Sequence, residues 1–165
     1  MLGKLDGITK LLPDADFFLL MYLRKDAASS SQIEGTMATM VDAIEAEIKT
    51  TQNIPEDVDD ILHYIKALNY GMKRVTDENF SISLRFVKEL HGELMRGART
   101  THHSYPGEFR TSSNWIGGTN LNNARFVPPV VDDMKRGLDG NGRTGRMFTT
   151  FYLWKVGLLE KPVLL

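Results

Sequence analysis

Between Leu138 and Arg146 the chain sets one acid, three glycines and two arginines directly before an apolar stretch. Glycines let a backbone bend into small concavities whose amides hold anions. A helix starting there adds free amides and the positive end of its dipole. Arg143 and Arg146 are three apart, so on a helix they share a face and can clamp one phosphate group. Asp139 could hold a divalent cation against that phosphate, because magnesium prefers carboxylate, water and phosphate oxygens. The stretch reads as a polyphosphate site.

Other anion and cation motifs fit less well. Gly137 to Thr144 nearly spells G-x-x-x-x-G-K-[ST], but Arg143 replaces the lysine, and Met134-Lys135-Arg136 is a poor strand end. A calcium loop opening at Asp139 would need glutamate at its twelfth position, where Thr150 stands. The plain alternative is a Gly-Asn-Gly turn before a structural helix, with two solvated arginines.

The periodicity predicts helices to position this bend. Phe17 to Ala28 repeats apolar residues at spacings of three and four. Gln32 to Lys49 is expected as a second helix, with Ile33, Met37, Met40, Val41, Ile44 and Ile48 as its apolar stripe. A turn follows at Asn53 to Glu56, with Pro55 suited to the first helical position. Glu56 to Arg74 should bury Val58, Ile61, Leu62, Ile65, Leu68 and Met72. Ser83 to Met95 should bury Phe86, Val87, Leu90 and Leu94, with His91 on that apolar face. Gly97 to Gly107 reads as loop. Asn114 to Pro129 reads as a short hairpin with its tip at Thr119 to Asn123, stopped by paired prolines. Val130 to Lys135 could begin a helix that breaks at Gly137. Arg143 to Leu158 is expected to be the last helix, mostly buried, with Met147, Phe148, Phe151 and Tyr152 in the core. The fold class is mainly α with one β-hairpin.

The chain has 165 residues, enough for one domain with a hydrophobic core. Its net charge of −1 gives no global case for binding nucleic acid or anionic lipid. The absence of cysteine excludes disulfides and thiolate zinc sites. Met1 to Lys10 does not read as a secretory leader, and Met147 to Leu159 is too short to span a bilayer. A cytoplasmic protein without membrane contact is expected.

Five segments, in order, resemble the Fic family of protein adenylyltransferases. Ser30-Ser31-Gln32-Ile33-Glu34-Gly35 is similar to that family's inhibitory motif, [ST]-x-x-x-E-[GN]. Gly107-Glu108-Phe109-Arg110, Asn114-Trp115-Ile116-Gly117-Gly118 and Phe126-Val127-Pro128-Pro129 resemble its core and flap. Asp139-Gly140-Asn141-Gly142-Arg143-Thr144-Gly145-Arg146 resembles the second part of H-x-F-x-[DE]-G-N-G-R-x-x-R. The resemblance implies a Fic-type helical domain that transfers AMP from ATP to a Ser, Thr or Tyr hydroxyl of a target protein, with possible homodimers. It implies an N-terminal region over 1–55 carrying the inhibitory motif and a Fic core over 56–165. Asp139 would bind magnesium, the amides around Gly140, Asn141 and Gly142 would hold phosphates, and Arg143 and Arg146 would neutralise them. Ile116, Gly117, Gly118, Phe126 and Val127 would belong to a flap that aligns the target segment by strand-like pairing. Glu34, with Ser30, would be regulatory: Glu34 would reach Arg146, take the place of the γ-phosphate and hold ATP unproductively. Glu34 also closes a Ser31-x-x-Glu34 pattern that reads as a capping box at a helix N-terminus.

One departure bears on activity. The motif histidine should stand at 135, where this chain has Lys135, and the motif phenylalanine at 137, where it has Gly137. Only Val130 to Arg136 separates the flap prolines from the motif, where relatives carry helical sequence. Relatives also continue with further helices beyond the position of Leu165. An exposed lysine is protonated at neutral pH and makes a poor general base. His63 reads as an exposed helix residue, His102 and His103 as surface residues, and His91 as a hydrogen-bonded core histidine, so none replaces the base. Trp115 reads as packing under the flap. The polypeptide is therefore expected to transfer AMP poorly or not at all. The alternatives are a non-catalytic nucleotide-binding remnant, an interaction module, or a purely structural helical domain.

Overall fold

The computed structural model describes residues 14–49, 53–96, 105–109, 115, 117–127 and 142–163. Among them are five α-helices: α1 (Ala15–Ile33), α2 (Met40–Lys49), α3 (Glu56–Val75), α4 (Leu84–Met95) and α5 (Gly142–Lys155). The mainly α architecture read from periodicity is the one observed.

The centre of the bundle is α3, on which all four other helices pack. Its sequence explains why it holds that place. Val58, Ile61, Ile65 and Leu68 recur at helical spacing and are buried, and Tyr64 and Ala67 complete the covered face. Glu56, Asp57 and Asp59 lie in its first turn and Lys73 and Arg74 in its last, opposing the helix dipole at both ends. Pro55 sits one residue outside the helix, at the cap, with φ −57°. At the other end the Lys155 ammonium donates to the carbonyls of Val75 (3.1 Å) and Asp77 (2.8 Å), tying α5 to the end of α3.

α3 and α5 approach each other closely at Gly71. Gly71 leaves room for the Phe151 ring, which would overlap any Cβ placed there. Phe151 also lies 5.8 Å from Phe86 of α4, centroid to centroid, so one ring joins three helices.

The single helix expected over Gln32 to Lys49 is two helices. Gln32 and Ile33 finish α1, Glu34 is its C-cap, and Gly35 turns the chain with φ +99°. A left-handed residue ends a helix, and glycine adopts that conformation without a Cβ penalty. The next helix starts with a cap of its own. The Thr39 amide donates to Asp42 Oδ2 (2.8 Å) and the Asp42 amide donates to Thr39 Oγ1 (3.3 Å). The Thr39 hydroxyl, which donates to Asp42 Oδ2 (2.7 Å), and then the Thr39 amide hold the Asp42 carboxyl below the usual aspartate range. The capping box is therefore at Thr39 and Asp42. The Ser31-x-x-Glu34 pattern lies at a helix C-terminus and caps no N-terminus.

The break also undoes the expected apolar stripe. Met37 is 84 % exposed and Ile48 75 % exposed, and Ile33 and Val41 face solvent as well. Tyr152 of the last helix is exposed too, while Met147 and Phe151 are buried. That helix ends at Lys155, followed by Gly157 at φ +74°. His63, expected on the surface, is 7 % exposed, and its ring nitrogen Nδ1 lies 2.9 Å from the Asp59 carbonyl oxygen.

The tip read at Thr119 to Asn123 is a 3₁₀ turn over Leu121–Asn123. Asn120 accepts from the Asn122 and Asn123 amides, and Asn123 accepts from the Thr119 and Asn120 amides. A Cβ at Gly117 would lie 3.0 Å from that of Arg125, so the two arms approach each other, but among the described residues they form no β-strand in place of the expected hairpin. Residue 116 and residues 128 to 141 lie outside the described residues, as do 97 to 104, with His102 and His103.

Gly71→Ala is expected to lower stability by about 1–3 kcal/mol, because overpacking against a fully buried ring outweighs alanine's better helix propensity. Urea unfolding followed by circular dichroism measures it.

Candidate functional site

Arg146 lies one turn into α5 and points at the end of α1. Its Nε donates to Ser30 Oγ (2.6 Å), and its Nη2 donates to the Ser30 carbonyl (3.0 Å) and to Glu34 Oε1 (3.0 Å). Ser30 and Glu34 are four apart, so α1 presents both on one face. The contact joins residues 112 and 116 positions apart in sequence.

The Glu34 carboxylate also lies at the first residue of α5. A Cβ on Gly142 would be 2.5 Å from Glu34 Oε1 and 2.9 Å from Arg146 Nη1. Glycine at 142 thus leaves space for the ion pair over the helix start. The first amides of a helix have no partner within it, and the dipole there favours negative charge. A carboxylate beside that end and a guanidinium lies in a field that favours negative charge.

The loop after Glu34 is fastened to the start of α3. The Met37 amide donates to Asp57 Oδ2 (2.7 Å), and the Thr36 hydroxyl lies 3.4 Å from Asp60 Oδ2. The Thr36 amide turns back to the Ser31 carbonyl (3.1 Å). Backbone anchors on both sides therefore place Glu34.

Arg143 leaves the same helix turn in another direction. It is buried, and its positive charge reaches His91 of α4. The two arginines are thus not the solvated pair of a plain capping turn. His91 is hydrogen-bonded, as its position on the apolar face implied: Nδ1 accepts the Gly107 amide at 3.0 Å. Burial, and then the charge of Arg143, hold His91 below the usual histidine range. With Nδ1 taken as an acceptor, the neutral ring carries its proton on Nε2. No lone pair remains to accept a substrate proton unless the Gly107 bond breaks, so His91 does not stand in for the base missing at 135.

Of the other residues singled out, Asp139, Gly140, Asn141, Lys135 and Ile116 lie outside the described residues. Among the described residues no group of three or more His, Cys, Asp or Glu could hold a metal ion. Gly117, Gly118, Phe126 and Val127 are described and exposed, and Trp115 is exposed rather than packed beneath them. Among the described residues no helix is long and apolar enough to cross a membrane.

Two residues at this site carry no obvious sequence signal. Tyr64 of α3 is fully buried beneath Ser30, with its hydroxyl 3.4 Å from Asp26 Oδ2 of α1. Burial, then the Asp26 charge, raise the Tyr64 phenol well above its ordinary range, so it is a neutral donor. Burial raises the Asp26 carboxyl, against the opposing pull of Tyr64 and Arg146. The available signal is the spacing Asp26, Ser30, Glu34, which puts three polar residues on one stripe of α1.

Residues 1–73 match the family model described as Fic/DOC family N-terminal. The match spans 73 of the 165 residues, so the likeness is to the N-terminal region of that family. It contains all of α1 and α2 and ends within α3, and so covers Ser30 and Glu34 but not Arg146. No curated protein matches the sequence significantly.

Gly142→Ala is expected to displace the Glu34 carboxylate from Arg146 while changing stability by less than about 0.5 kcal/mol. The groups that must move are the ends of two partly exposed side chains, and substitutions that spare the core have effects of that size. A changed Arg146 Nη2–H resonance in low-temperature proton–nitrogen correlation spectra, with the Nε–H resonance and the urea midpoint unchanged, would show it.

Proposed function

We propose that this chain is the nucleotide-holding and self-restraining part of a Fic-type protein adenylyltransferase. In this reading α5 and Arg146 hold the terminal phosphate of ATP for transfer of AMP to a Ser, Thr or Tyr hydroxyl of a target protein. Glu34 blocks that position. Asp139 would hold magnesium, and the flap around Gly117, Gly118, Phe126 and Val127 would align the target segment.

The observation that carries the proposal is the seat of the Glu34 carboxylate, between the first residue of α5 and the Arg146 guanidinium. An internal carboxylate in an anion's position competes with any anion for it. Its strength suits a restraint that can be lifted. The two side chains are 36 % and 34 % exposed, and an ion pair so placed contributes about 0–1 kcal/mol. A triphosphate with several contacts can displace such a group.

The chemical step needs a base to take the hydroxyl proton, and imidazole suits it because its pKa lies near neutrality. This polypeptide has lysine at that motif position, and His91 is committed to Gly107. It therefore supplies binding and restraint without efficient transfer.

Glu34→Gly is expected to tighten ATP binding about two- to tenfold in calorimetry, the scale of one displaced pair with its hydrogen bond. Adding Arg146→Ala should abolish the gain. With magnesium and labelled ATP, neither the parent chain nor Glu34→Gly should incorporate AMP efficiently. Efficient labelling would refute the requirement for the motif histidine, and absence of ATP binding by folded Glu34→Gly would refute the nucleotide reading.

A further inference from the structure

Arg146 meets two kinds of partner on α1. Glu34 is a partly exposed carboxylate on the last, capped turn of the helix. Ser30 is buried one turn earlier, and it takes the shorter contact, 2.6 Å from Arg146 Nε. Below Ser30 the polar contacts continue inward. Tyr64 is fully buried next to Ser30, its hydroxyl 3.4 Å from Asp26 Oδ2, and Asp26 stands four residues before Ser30 on the same stripe of α1. The charge of Arg146 reaches both Asp26 and Tyr64, and polar groups so close together in a buried setting polarise one another.

We propose that Tyr64 and Asp26 are positioning residues that hold Arg146 through Ser30, independently of Glu34, so that the guanidinium stays in place for an anion once Glu34 leaves. Ser30, Tyr64 and Asp26 form the fixed mount, and Glu34 is the replaceable ligand. The two carboxylates have opposite effects on polyphosphate binding. Glu34 competes with the phosphate for Nη2, whereas Asp26 orients Nε through two intervening hydroxyls and leaves the outer edge of the guanidinium open. The inference rests on the nucleotide reading of Arg146 for its binding consequence, but not for its spectroscopic one.

The test uses the full 165-residue chain carrying Glu34→Gly, to which Tyr64→Phe or Asp26→Asn is added. Each change keeps nearly the original volume. In proton–nitrogen spectra the Arg146 Nε–H should exchange slowly in the Glu34→Gly chain and become broadened or fast-exchanging in either double variant. Calorimetry with ATP and with ADP should show ATP binding weakened about three- to tenfold, the scale of one hydrogen bond, and ADP binding unchanged. Asp26→Asn should leave the thermal midpoint equal or higher, because it removes a desolvated charge while keeping an acceptor for Tyr64. A residue needed only for the fold would lower the midpoint and weaken both nucleotides together.

An unchanged Nε–H signal in both folded double variants would overturn the mount, and so would unchanged ATP affinity where Arg146→Ala weakens it. If Arg146→Ala itself leaves ATP affinity untouched, the nucleotide reading fails, and the Nε–H signal alone then decides whether the mount stands.

Discussion

The arrangement depends on one guanidinium shared by two helices that are distant in the chain. Arg146 of α5 fills its donors from Ser30 and Glu34 of α1, and the rest of the bundle brings those two helices to the correct separation. Five donors in a fixed fork make arginine suited to this duty, since one side chain can meet a hydroxyl, a carbonyl and a carboxylate together. A lysine there would be a point charge without that geometry.

The separation of α1 and α5 is set from below by α3. Gly71 admits the Phe151 ring, and Tyr64 rises from the same helix to meet Ser30. Core packing and the polar site are thus adjacent stretches of one helix face, with Tyr64 seven residues before Gly71. Side chains in so dense an interior do not shift independently. Moving α5 would disturb Phe151, and with it the contact to Phe86 on α4.

Much of the architecture was legible because helical periodicity survives in α3 and α4, where Ile61, Leu68, Phe86 and Leu90 face the core as their spacing requires. Periodicity failed between Gln32 and Lys49. The apolar residues there continue in helical register through Gly35, and the conformation of that glycine decides the break. Glu34 shows the same limit at finer scale: Ser31-x-x-Glu34 and Thr39-x-x-Asp42 are similar local patterns, yet only the second starts a helix. At the site, the pairing of Glu34 with Arg146 was expected from the resemblance, since no local rule links residues so far apart. Tyr64 and Asp26 went unnoticed because a tyrosine within an apolar stripe reads as core until its hydroxyl is seen to have a destination. His63 was misplaced for a related reason, because a polar residue on a central helix can be buried when a carbonyl one turn earlier accepts a hydrogen bond from it.

Lys155 gives the bundle a directional stiffness. Its ammonium clasps two carbonyls at the far end of α3, so the helix that carries Arg146 is pinned at the tail as well as wedged at its middle by Phe151. The tail of α1 hangs differently, with a left-handed glycine immediately beyond its last turn and no atom near that glycine's missing side chain. The backbone beyond it is nevertheless tied to α3 through Met37 and Thr36, so release of the contact falls to the Glu34 side chain rather than to the helix. The cation is the stationary jaw, and one partly exposed carboxylate is the moving one.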